Sequence, residues 1–222
     1  KKRMSFNKQR DEIAHINNSL LHAVFKAITT VKNAQYETAD IEVFKKVDAY
    51  RDLLLADTTE ITYEIFGSDD VREVKDICRI AASPKTWGQF LYCLTKYSGS
   101  KKVLEIGTNV GISGNYILHG LKQNHTDFSL VTMEGLAKLC AISQTQFAKI
   151  ANKDKFEIVE GLYDDTFSPL IAREKGFDLL FIDGNHQEQP TITYFEKCLE
   201  YANNNTIFIF DDIHWSKGME DA

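Results

Sequence analysis

From residue 101 onward the chain alternates two kinds of segment, and this alternation constrains its fold more than any other feature. Short apolar runs occupy residues 103–106, 128–133, 156–159, 179–182 and 206–210, ending at or beside Gly, Asp or Glu. Helical patterns fill the gaps near 113–122, 136–151, 166–174 and 188–202. Runs such as Leu179-Leu-Phe-Ile182 and Ile207-Phe-Ile-Phe210 carry no polar residue at alternate positions, so neither face of the strand tolerates water. Strands buried on both faces belong to parallel sheets covered by helices. Five such alternations predict an α/β fold with an open, doubly wound, mostly parallel sheet.

The first hundred residues differ in style. Ile13, Ile16, Leu20, Leu21, Val24 and Ile28 recur at three- and four-residue steps, the stripe of an amphipathic helix. A second helix is expected over 40–55 through Val43, Phe44, Val47 and Tyr50. Ile61, Tyr63 and Ile65 alternate, as in a short strand or extended connector. Helices near 70–82 and 84–97 follow, with Ser83 as N-cap and Pro84 at the first helical position. The expected organisation is a helical N-terminal extension over residues 1–82 and a cofactor-binding domain over 83–222.

The formal net charge of −6 disfavours a nucleic-acid surface, since acidic chains repel a phosphate backbone. The basic patch Lys1-Lys2-Arg3 reads as a solvated terminus. Cys78, Cys93, Cys140 and Cys198 form no C-x-x-C pair, which argues against a thiolate zinc site or a disulfide framework. Cys78 and Cys93, set among apolar residues in helical patterns, read as small buried hydrophobes in a reducing compartment. No run approaches the ~18 apolar residues of a membrane span, and no signal-peptide pattern opens the chain. A cytoplasmic protein is expected, although the first residue is Lys1 and an upstream segment is allowed for.

Ligands of such sheets bind beyond the carboxyl ends of the strands, near the switch in strand order. The first run there reads Val103-Leu-Glu-Ile-Gly-Thr-Asn-Val-Gly-Ile-Ser113. Gly107 and Gly111 permit a tight turn and close approach to a ligand. The second run ends at Glu134, whose carboxylate is placed to accept both hydroxyls of a ribose. A glycine turn paired with a second-strand acid points to a nucleoside-containing cofactor. The G-x-G-x-x-G of dinucleotide folds is absent, and Glu105 would repel a pyrophosphate. The same carboxylate suits the ammonium of S-adenosylmethionine. Cofactor contacts are therefore expected from Glu105, Gly107, Thr108, Asn109, Gly111, Ser113 and Glu134.

The stretch Ser83-Pro-Lys-Thr-Trp-Gly-Gln-Phe-Leu91 leading into residues 103–113 resembles the catechol and caffeoyl-CoA O-methyltransferase group of class I methyltransferases. The likeness spans roughly residues 83–217 and extends to uncharacterised bacterial relatives. It implies that Gly161 and Leu162 border the adenine, and Asp183, at its strand end, is expected as a further cofactor contact. It also places a divalent cation, Mg²⁺ or else Ca²⁺ or Mn²⁺, on Asp183, Asp211 and Asp212. Hard oxygen ligands at adjacent strand ends fit such ions. Asp212 stands where the group has Asn, and His186 where it has its general-base Lys. Histidine, ordinarily ionising near ~6.5, suits a hydroxyl proton at neutral pH. His186 and Asp183 are thus the expected catalytic pair, acting on a small-molecule methyl acceptor.

Plainer readings stay open. Asp183 serves a pocket without metal, Asp211-Asp212 caps a following helix, His186 is a solvated loop residue, and Trp215 is core packing. A nicotinamide-dependent oxidoreductase and a non-catalytic dimerisation module are the competing functions. A homodimer is expected in either case. The group's fold carries two more strands after the fifth, so the final strands are expected to be absent from this chain, leaving an apolar edge.

Overall fold

The computed structural model describes residue 13 and residues 15–222; Lys1-Lys2-Arg3 lies outside them. Helix α1 spans Ser19–Lys32. It begins later than the apolar stripe predicts, because the Asn18 side chain accepts the Leu21 N–H at 2.9 Å and caps the helix there. Ile16 lies before that cap and is exposed, while Ala23, Ala27 and Thr30 form the buried face. Helix α2, Thr38–Leu55, buries Val43, Phe44, Val47 and Tyr50 as the spacing predicts.

Strands β1 (Glu60–Thr62) and β2 (Val71–Glu73) form an antiparallel hairpin with Ile61 opposite Arg72. Between them a 3₁₀ turn, Glu64–Phe66, closes on Gly67 at φ 73°. The helix expected from residue 70 therefore starts later, as α3 over Val74–Ala81. Pairing with β1 satisfies the Val71–Glu73 backbone in place of a helical turn. Helix α4 is Lys85–Ser98, with Pro84 as its cap residue rather than Ser83. Proline's ring disfavours helical geometry in the residue before it. Ser83 instead offers its carbonyl to the Arg51 guanidinium at 2.5 Å.

The main sheet holds β3 (Lys102–Ile106), β4 (Ser129–Glu134), β5 (Phe156–Glu160), β6 (Leu179–Ile182) and β7 (Ile207–Phe210). Its order is β5-β4-β3-β6-β7, and every pair is parallel. The doubly wound prediction is met. Helices α5 (Ile112–Asn124), α6 (Ala137–Phe147), α7 (Tyr163–Glu174) and α8 (Glu188–Leu199) follow successive strands, and α9 (Lys217–Asp221) ends the chain. The chain leaves β3 toward β4 and β5, then returns to β6 on the other side. The switch point thus lies between β3 and β6.

Alternate residues of each strand feed two cores. Val103, Leu130, Leu179 and Phe181 join the larger, which extends through α2, α4 and α5. Leu104, Ile106, Val131, Met133, Leu180 and Ile182 join the other, against α7 and α8. Burial on both faces explains why these runs contain so little polarity. Among the described residues β7 pairs on one side only. Val24, Ile28, Trp87 and Phe90 wall an apolar cavity of about 820 Å³ along it. All four cysteines are buried and unpaired. Among the described residues no helix is long and apolar enough to cross a membrane.

Candidate cofactor and acceptor site

The strand ends at the switch point converge on one turn. Gly107 leaves β3 at φ 108°, a conformation that only glycine adopts freely. A side chain there would also run into the Asp183 carbonyl, so β3 and β6 approach closely because this position has none. Gly111 (φ 75°) caps α5 and is crowded by Ser143 and Phe147. Thr108 is fully buried, its hydroxyl 2.6 Å from that of Thr132.

Glu134 organises this turn more than the sequence suggests. Its Oε2 accepts the Asn109 N–H at 2.8 Å and its Oε1 accepts the Leu136 N–H at 2.9 Å. Burial pushes its carboxyl upward, against the pull of these backbone donors. A carboxylate has about four acceptor sites, so capacity for a diol remains. The Gly161 N–H also reaches the Glu134 carbonyl at 2.9 Å, joining the β4 and β5 turns.

Glu105 is completely buried. Its Oε2 accepts the Thr132 hydroxyl at 2.7 Å and Ser113 also donates to it, but Oε1 has no partner. Burial drives its carboxyl up to about 7. An unpaired buried polar atom costs about 1–3 kcal/mol, more if charged. An ammonium donor would remove that cost, so this carboxyl fits the amino-acid end of S-adenosylmethionine.

The second group surrounds Asp183. Burial, then the charges of Asp211, Glu105 and Asp212, push its carboxyl up to about 9. His186 stands between two acids, with Nε2 3.9 Å from Asp183 and Nδ1 3.7 Å from Asp212. Asp183, His186 and Asp212 offer ligand atoms within 4.8 Å of one another. That trio departs from the expected set, since His186 takes the place of Asp211. Asp211 stays close enough to raise Asp183, and its own carboxyl is raised by burial. A mixed O,O,N donor set with excess negative charge fits a divalent cation.

Neither aspartate caps a helix. Ser216 caps α9, accepting the Met219 N–H at 3.2 Å. Trp215 is 70% exposed with its ring centroid 6.2 Å from that of His186, which overturns the core-packing reading. Asn109, Asn185, His186 and Asp212 all adopt positive φ without being glycine. Such strained backbone gathers at sites whose surroundings over-determine it.

The sequence reading missed what approaches from the N-terminal hairpin. Tyr63 lies close enough to Glu134 for that charge to raise its hydroxyl, adding to the larger effect of burial. Phe66 lies over Gly135 and borders a cavity of about 290 Å³ with Gly161, Leu162, Tyr163, Asp164 and Asn185. The alternation at Ile61, Tyr63 and Ile65 signalled a strand there, but nothing in the pattern signalled its destination.

Residues 104–213 match the family described as a methyltransferase domain. The chain is 28% identical over 135 residues to a catechol O-methyltransferase of Niastella koreensis, across 60% of this chain and 58% of that protein. It is 27% identical over 168 residues to a catechol O-methyltransferase of Mycobacterium tuberculosis, across 75% and 71%. The chain thus spans little more than half of the first relative. In structure it is similar to the S-adenosylhomocysteine-bound methyltransferase of Podospora anserina, with TM-score 0.57 and 19% identity over 96% of this chain and 74% of that one. An O-methyltransferase of Bacillus cereus gives TM-score 0.56 and 23% identity over 84% and 77%. At those identities the structural likeness speaks to the fold alone.

The strand order, the glycine turn and the family match together define a methyltransferase domain. Over residues 104–213 and in its strand order the chain resembles the class I S-adenosylmethionine-dependent methyltransferases. Both relatives named above are catechol O-methyltransferases.

Proposed function

We propose that this domain methylates a hydroxyl of a small molecule, with S-adenosylmethionine as donor. The observation that carries the reading is the pairing of Glu134 at the glycine turn with the buried, half-satisfied Glu105 carboxyl on the next strand. When bound, the cofactor supplies a sulfonium methyl that passes to the acceptor oxygen as the C–S bond breaks. Glu134 holds the ribose hydroxyls and Glu105 the ammonium. Asp183 would close the pocket, and the glycines at 107 and 111 would let the backbone of that turn approach the cofactor. His186 takes the acceptor's proton, and the Asp212 carboxylate 3.7 Å from Nδ1 stabilises the imidazolium. The methyl is already activated, so alignment supplies most of the rate.

A second reading has its own observation. The 4.8 Å grouping of Asp183, His186 and Asp212 suits a divalent cation, which would lower the pKa of a coordinated hydroxyl. His186 would then be a ligand rather than the base. The catechol names of the relatives support a phenolic acceptor.

Calorimetric titration with S-adenosylhomocysteine tests the cofactor. Binding is expected to weaken about tenfold or more in Glu134→Ala, the size of a hydrogen bond to a charged group. Absence of binding to the folded chain would sink the proposal. Methyl transfer to a panel of phenols, measured with and without chelator, separates the two acceptor readings. Activity indifferent to chelator but lost in His186→Ala supports the base, and activity restored by Mg²⁺ or Mn²⁺ supports the ligand set.

A further inference from the structure

The hairpin β1–β2 is anchored directly above the end of β4. Lys138 on α6 donates to the Glu60 carbonyl at 2.8 Å, and the Tyr63 N–H bonds the Asp70 carbonyl at 3.1 Å across the turn. The Arg72 guanidinium lies 5.5 Å from the Tyr63 ring centroid, and Tyr63 and Phe66 stand 6.3 Å apart, centroid to centroid. These contacts fix the direction in which the 3₁₀ turn presents Phe66.

Gly135 marks where Phe66 arrives. Its backbone φ is not positive, so conformation does not require glycine there. A Cβ at Gly135 would instead meet the tip of the Phe66 ring at 2.7 Å. The position lacks a side chain because an aromatic ring occupies the space. Phe66 nonetheless leaves 52% of its surface exposed, an unfavourable arrangement for a large apolar ring. Its open side faces the cavity of about 290 Å³ that Leu162, Tyr163, Asp164 and Asn185 complete.

Resting on the proposed cofactor reading, we infer that Phe66 stacks on the purine of the bound nucleoside. Glu134 would hold the sugar and lies immediately before Gly135. A base attached to that sugar reaches the space beside Gly135, and this cavity opens there. Its walls suit a purine: an aromatic face on one side, Leu162 on another, and Asp164 and Asn185 to meet ring nitrogens and an exocyclic amine. A π face against a base is sequence-tolerant and strong when one side is shielded from water. The N-terminal extension thereby becomes part of the cofactor site.

Calorimetric titration with S-adenosylhomocysteine on the wild type and on Phe66→Ala, Phe66→Leu and Phe66→Tyr tests this. Phe66→Ala and Phe66→Leu are expected to bind about tenfold more weakly, the scale of one base–aromatic stack, while Phe66→Tyr stays within about twofold. Leucine keeps the apolar bulk without the π face, so wild-type affinity in Phe66→Leu would overturn the stacking role. A wild type that binds, together with a Phe66→Ala variant of equal affinity, overturns this inference and leaves the cofactor reading standing. Failure of the wild type to bind removes both.

Discussion

At the scale of single residues, the acids at the strand ends, on which the proposed function rests, carry part of the instability. Glu105 sits at about 7 instead of 4.5 because burial disfavours its charge. A carboxyl whose folded pKa is raised favours the folded state while protonated. Its contribution is complete below pH 4.5 and is lost as pH rises through about 7. Glu105→Gln is therefore expected to show a flatter stability profile than wild type between those values, read from urea midpoints in a pH series. Parallel profiles would mean that the charge is compensated by another route. Glu105 and Glu134 were legible in the sequence because a strand end fixes where its last side chains point. The partners of each were not legible. Ser113, Thr132 and the Asn109 and Leu136 N–H groups come from other elements, and only folding brings them within reach.

At the scale of elements, the α4–α5 crossing shows how a glycine can be structural inside a helix. A side chain on Gly88 would collide with the Tyr116 ring, and one on Gly120 with the Thr95 hydroxyl and the Tyr92 carbonyl. Neither residue has positive φ, so close approach rather than turn geometry accounts for both. Gly120→Ala gains helix propensity worth about 1 kcal/mol, while overpacking typically costs about 1–3 kcal/mol. A net loss of about 1 kcal/mol is expected in denaturant midpoint measurements, and a gain would show that the crossing relaxes freely. Beside this crossing, Asp40 is fully buried and accepts the Tyr92 hydroxyl at 2.6 Å and the Lys96 ammonium at 2.8 Å. Those donors outweigh burial and hold its carboxyl below the ordinary value. The helices themselves were legible from periodicity. The register of their crossing was not, because periodicity records which face is apolar and not what meets it.

At the scale of the whole molecule, the N-terminal helices and the sheet share one core. Val43, Val47 and Tyr50 of α2 belong to the same apolar cluster as Val103 and Phe181 of the sheet, and the Tyr50 hydroxyl donates to the Val110 carbonyl at 2.7 Å. Deleting residues 1–82 would uncover Leu91, Tyr92, Tyr116 and Ile117, each fully buried in the intact chain. Burying one such side chain is worth about 1.5–3 kcal/mol, so losing cover over all four is comparable with the net stability of an ordinary domain, about 5–15 kcal/mol. The truncated chain is expected to lack a cooperative melt by circular dichroism, and a sharp transition would show that residues 83–222 fold alone. The sequence by itself determined the parallel sheet and the identity of its strand-end acids. Unbroken apolar runs can be buried only between two helical layers, and strand order carries their last residues to one edge. The tertiary structure decided the partners of those acids: His186 instead of Asp211 in the closest trio, backbone donors on Glu134, and Phe66 from sixty-nine residues before Gly135. Those contacts join segments remote in the chain, where local patterning carries no information about distance in space.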